Sequence, residues 1–132
     1  MKGRFILASE AETDRPPLGK VAWHSRPSTT GAKNLVVTEA TFLPGKFHNF
    51  HTHPNQEEVI YVAAGSIEQW LGREKRVLKP GDSVFIPAGE VHATFNPSQV
   101  EAKIVAILGP CVGAEGYELV DVSNQPPWNT IR

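Results

Sequence analysis

Glycine and proline fall along this chain as punctuation, closing off one short apolar run after another, and that spacing leaves room for strands and for little else. Eleven glycines and eleven prolines occur among 132 residues, where average usage puts the two together at about 12%. The runs at 21–25, 35–43, 47–53, 57–63, 66–71, 76–78, 83–86, 91–96, 100–108 and 117–122 are short and rich in Val, Ile, Thr and Phe, which predicts strands. A further strand is predicted at 4–7. The alternation is clearest in Val100, Ala102, Ile104, Ala106 and Leu108, one face of an extended segment. No stretch carries a convincing helical period. The segment 11–20, with Pro16 and Pro17, reads as a loop or arm, and 26–34, with Pro27 and Gly31, reads as a loop. So many short strands without helices between them argue an all-β double-sheet barrel or jelly roll and exclude a βαβ architecture. A single domain is expected, with its core at 35–122, an N-terminal arm at 1–34 and an irregular tail at 123–132.

Within that frame one triplet stands out, His51-Thr52-His53. Side chains alternate along a strand, so two histidines two residues apart face the same way, close enough to share one metal ion. Glu58 follows at the head of the next predicted strand and His92 lies in a later one. Three imidazoles and a carboxylate make a first shell for a divalent transition metal, and four ligands on an octahedral ion leave positions free for water or substrate. His48 lies three residues before His51, on the opposite face of a regular strand, and is expected to be exposed. His24, beside Trp23, is expected to be packed or partly exposed, and Glu57 to be solvated.

The same residues resemble the signature of the cupin superfamily. Its first motif is matched by Gly45, His51, His53, Glu58 and Gly65, and its second by Gly81, Pro87, Gly89, His92 and Asn96, with every gap correct. The resemblance spans 45–96 directly. It implies a double-stranded β-helix, or jelly-roll, barrel with a metal near one open end, held by His51, His53, Glu58 and His92. By the same resemblance the glycines and Pro87 permit the turns that bring separate strands together, and Asn96 is a framework residue. The inward faces of the ligand-bearing strands make Phe47, Asn49, Ile60 and Thr94 the expected pocket lining.

Several function classes drop out on composition. A net charge of −1 and a pI near 6.5 offer no attraction for nucleic acid or an anionic membrane. No apolar run reaches membrane-spanning length, and no signal-peptide core is present, so a cytoplasmic protein is expected. One cysteine, Cys111, excludes an internal disulfide framework and reads as a packed or loop thiol. Trp23, Trp70 and Trp128 are expected in core or interface. No arginine falls on a clearly inward strand position, so a strongly anionic substrate is not indicated, although Arg26 in its loop has the reach.

The strand with Glu58, Ile60 and Val62 on one face carries Val59 and Tyr61 on the other, and Val84, Phe85 and Ile86 are apolar throughout. Two apolar faces need two covers. A homodimer supplies the second, as would the N-terminal arm or the tail. The ligand set suits Fe, Mn, Ni, Zn, Co or Cu as a single divalent ion. The expected function is a small metal-dependent enzyme, oxygenase-like or isomerase-like, acting on a small organic molecule. The alternatives are a non-catalytic metal and small-ligand binding or sensing module, and a metal that only clips the barrel together.

Overall fold

The computed structural model describes residues 2–132 as two antiparallel sheets packed face to face. In chain order the elements are β1 (Glu12–Asp14), β2 (Gly19–Ser25), α1 (Pro27–Thr30), β3 (Val36–Phe42), β4 (Phe47–Thr52), β5 (Glu57–Ala64), β6 (Ile67–Leu71), β7 (Glu74–Leu78), β8 (Ser83–Ile86), β9 (His92–Phe95), β10 (Ala102–Gly109) and β11 (Val120–Asp121). The six-stranded sheet runs β1-β2-β3-β10-β5-β8 and the five-stranded sheet β11-β4-β9-β6-β7. From β3 to β10 the chain crosses to the other sheet at every connection but the β6–β7 hairpin, so the architecture is the expected jelly roll.

The core follows from the alternation. Val36, Thr38, Ala40 and Phe42 of β3 are buried, as are Ala102, Ile104, Ala106 and Leu108 of β10, and the register joins them pair by pair. With Ile60, Val62, Ile67 and Ile86 the apolar members form one cluster between the sheets. Each fully buried Val, Leu, Ile or Phe side chain among them contributes about 1.5–3 kcal/mol. Gly65 closes β5 at φ +70, and a Cβ there would lie 2.5 Å from the Glu101 carbonyl oxygen, so this turn admits glycine alone.

The structure departs from the expected elements at the N-terminus. Residues 4–7 form no strand: Phe5 is 94% exposed and no ladder partner meets it. The nearby strand is β1, inside the segment 11–20 read as a loop, and it pairs with β2 through Glu12 opposite Trp23. Apolar content drew the expectation to 4–7, whereas edge pairing, which composition does not signal, decided it. Of the 1–34 arm, β1 and β2 therefore belong to the six-stranded sheet. The loop at 26–34 contains the short α1, ended by Gly31 in the left-handed region.

The two outer faces differ. On the five-stranded sheet Phe50, Trp70, Ala93, Phe95 and Val122 form a second cluster, covered by Trp128 and Ile131 of the tail. Trp128 stacks on Phe50 at 5.3 Å. On the six-stranded sheet the register sets Val37, Ile107, Val59 and Phe85 in one row and Val105 and Tyr61 in the next. Phe85 is 53% and Tyr61 45% exposed, so nothing among the described residues covers them. Among the described residues no helix is long and apolar enough to cross a membrane.

Candidate metal centre

Both sheets contribute to one buried cluster. The ladder sets His51 of β4 opposite His92 of β9 in the five-stranded sheet, and His53 follows two residues later on the same face. Glu58 comes from β5 in the other sheet. The ring centroids of His51 and His92 are 4.2 Å apart, and those of His51 and His53 are 5.0 Å apart. The three residues each offer a ring nitrogen, and these nitrogens lie within 4.8 Å of one another. All four side chains are buried.

Main-chain carbonyls settle which nitrogen is offered. His51 Nδ1 lies 2.6 Å from the Asn49 oxygen, His53 Nδ1 2.7 Å from that of Glu118, and His92 Nδ1 2.9 Å from that of Glu90. A carbonyl only accepts, so each Nδ1 carries the proton and donates. In the neutral ring each Nε2 is then a bare lone pair, the form a metal requires. Glu58 Oε1 stands 2.9 Å from His92 Nε2 and 3.4 Å from His53 Nε2. Two acceptors facing each other at 2.9 Å make no hydrogen bond, and both atoms are buried without a partner. Such an arrangement needs a proton or a cation between the groups, and the residues fit a divalent ion in ligand type and protonation.

The electrostatics agree at His51 and Glu58 and run the other way at His53. Burial drives the His51 pKa from 6.5 to about 2, with His48 and His92 adding to the effect. Burial alone would raise the Glu58 carboxyl, but His53 and His92 facing it reverse this and hold it at about 2. Burial opposes a charge on His53 as well, yet Glu58 outweighs it and the pKa is raised.

His51, Glu58 and His92 of the cluster line a cavity of about 490 Å³ inside the barrel, and Phe47, Asn49, Ile60 and Thr94 all line it. His48 lines it too, contrary to the expectation of an exposed side chain. The β4–β9 register shifts between His48 and His51. The bulge inserts an extra residue, so both histidines face inward, with their rings stacked at 3.8 Å. A two-residue period misplaces any side chain beyond a bulge, and nothing in the local sequence announces this one.

Of the tryptophans, Trp23 reaches the cavity, while Trp70 and Trp128 belong to the outer cluster. Arg26 does not reach it: the guanidinium lies 3.7 Å over the Trp23 ring and pairs with Glu12 and Glu115. His24 is half-buried away from the cavity. Asn96 is a framework residue, its Nδ2 donating to the carbonyls of Phe42 and Val100 at 3.0 and 2.8 Å.

Two further residues bear on the site without any mark in the sequence. Tyr117 lines the cavity with its ring 5.9 Å from that of His53. Gln56 is 1% exposed; its Nε2 donates to Pro110 and Gly116, and its Oε1 accepts from the Glu118 amide. It thereby fastens the loop whose Glu118 carbonyl orients His53.

Comparison with known proteins bears on this arrangement. A family model described as the cupin domain matches residues 38–108. SchB from Streptomyces halstedii is 32% identical over 109 residues, covering 83% of this chain and 79% of that protein. Polyketide synthase CurC from Streptomyces cyaneus is 31% identical over 110 residues, covering 83% of this chain and 71% of that protein. The solved structure of KdgF from Halomonas sp. is similar in fold, with a TM-score of 0.75 at 22% identity over 85% of this chain and 97% of that one.

Proposed function

Because the chain belongs to the cupin family, whose fold serves many chemistries, we propose that it is a small metal-dependent enzyme acting on a chelating organic molecule. His51, His53, His92 and Glu58 hold one divalent transition metal. The observation that carries this reading is the convergence of three carbonyl-anchored imidazoles on an unpartnered buried carboxylate in the wall of a cavity. An ion bound there supplies Lewis acidity, polarising a substrate oxygen, or with iron or manganese a route to dioxygen chemistry of the oxygenase type.

The chain's own part is to place and shield the substrate. Ile60, Ile104 and Leu108 exclude water from one wall. Thr94, whose hydroxyl donates to Gln69 Oε1 at 2.6 Å, keeps its lone pairs for a substrate donor. His48 has no protein hydrogen-bond partner among the described residues and is the one imidazole in the cavity outside the ligand set; it accepts or returns a proton at a substrate oxygen. The name of CurC supports a small organic substrate of the polyketide kind, and the uncovered outer face supports a homodimer.

The test is elemental mass spectrometry of the protein purified without chelator or affinity tag, with dioxygen uptake and carbonyl isomerisation followed on the same sample. About one Fe or Mn per chain with uptake establishes the oxygenase form, and about one Zn, Ni or Co with isomerisation the Lewis-acid form. Metal with ligand binding but no turnover means a binding module, and a protein that takes up no metal when offered each ion overturns the proposal.

A further inference from the structure

The two walls of the cavity have opposite chemistry. Along the six-stranded sheet the register gives successive inward rows: Val36, Leu108 and Glu58, then Thr38, Ala106 and Ile60, then Ala40, Ile104 and Val62. Past the metal end, this wall is apolar but for Thr38. Its first and third rows are four residues apart along each strand, which is about 13 Å. The facing wall, from the five-stranded sheet, presents His51 and His92, then His48 and Thr94, with Asn49 beside them. The interior is therefore a slot with one greasy side and one hydrogen-bonding side.

Charge narrows the occupant further. Among the described residues no lysine or arginine lines the slot, and the acids that do are Asp14 and Glu58. Asp14 accepts from Trp23 Nε1 at 2.9 Å, and the cation over Trp23, Arg26, is engaged by Glu12 and Glu115. A ligand that brought a carboxylate or phosphate beyond the metal end would bury that charge unpaired against aliphatic side chains.

Resting on the metal reading above, we infer that the slot takes a neutral, flat molecule of two or more fused rings, bearing two adjacent oxygen atoms at the metal end and hydrogen-bonding groups along one edge. The adjacent oxygens chelate the ion, the apolar face lies on Ile60, Ala106 and Ile104, and the polar edge meets His48, Thr94 and Asn49. A ring system that carries a carboxylate, sulfonate or phosphate past the metal end is rejected for want of a cation there.

The probes are 2,3-dihydroxynaphthalene, catechol and 6,7-dihydroxynaphthalene-2-sulfonate, titrated by calorimetry into protein loaded with Co(II), its metal content measured on the same sample. 2,3-Dihydroxynaphthalene binds about tenfold or more tightly than catechol, because its second ring adds buried apolar area, and the sulfonate, which carries its charge past the metal end, binds at least tenfold more weakly than its uncharged parent. Equal affinity of the two uncharged diols, or a sulfonate that binds as tightly as its parent, overturns the inference while the metal content leaves the metal reading standing. If no metal loads, the metal reading fails alone: the neutral fluorophore N-phenyl-1-naphthylamine is then titrated into metal-free protein, where binding supports the slot and no binding overturns it.

Two variants locate the ring. Ala106→Phe fills the second row and removes the advantage of the fused diol with metal content unchanged; an advantage that survives overturns the placement. Thr38→Lys adds a cation to the same row and raises the affinity of the sulfonate at least tenfold, and unchanged sulfonate affinity in a folded variant overturns the charge argument.

Discussion

His53 is where three kinds of interaction meet on one imidazole, through Glu58, the ligand cluster and the Glu118 carbonyl. His53→Ala is expected to leave a folded barrel, since β4 ends before it, and to lower metal content from about one per chain to well under half, by elemental mass spectrometry at matched metal concentration. The buried histidines also set a pH dependence. His51 and His48 are held by burial at about 2 and about 4 against an ordinary 6.5. As the pH falls below 6.5 the unfolded chain takes up protons that the native state refuses, so metal-free protein loses stability on acidification. His53, with a raised pKa, acts in the opposite sense and is lost as the pH rises. Two groups outweigh one, and melting followed by circular dichroism should show a midpoint falling steadily from pH 6.5 to 4. At this scale the convergence of His51, His53, Glu58 and His92 was legible because chelation demands residue types at fixed spacing. His48 was not, because its direction depends on a bulge that only the pairing with β9 reveals.

Among elements, the loop after β10 matters most to the site, and a single side chain fastens it. Replacing Gln56 by leucine leaves the carbonyls of Pro110 and Gly116 and the amide of Glu118 without their partner. Gln56→Leu is expected to cost about 3 kcal/mol in urea unfolding and, through the loosened Glu118 carbonyl, about tenfold in metal affinity. A loss of stability with metal affinity untouched would separate the loop from the site. Strands β3 and β10 were legible in outline because each alternates strictly against the opposite sheet. The short β1 was not: its residues, Glu12, Thr13 and Asp14, are all exposed and owe their conformation to β2 alone. The apolar segment 4–7, which looked more strand-like, forms no ladder with any strand.

For the whole molecule the contrast between its two outer faces has a measurable outcome. The tail seals one with Trp128, while Val37, Ile107, Val59 and Phe85 cross four strands of the other without cover. If a second copy covers that face, sedimentation velocity gives twice the chain mass and Phe85→Glu returns it to one; wild-type protein running as a monomer at high concentration would refute the pairing. The doubly apolar strands were legible in the sequence, but which cover went where was not, since that depends on how the tail leaves β11. The four clustered side chains divide unequally between the layers, with the histidines on one sheet or its continuation and Glu58 on the other, and no strand is shared by the two. A metal ion held among them, as proposed, would be a clasp across the barrel's seam. Its removal by a chelator should let the layers part first at that end, so that amide exchange quickens there together in β4, β5 and β9 while the far end stays shut.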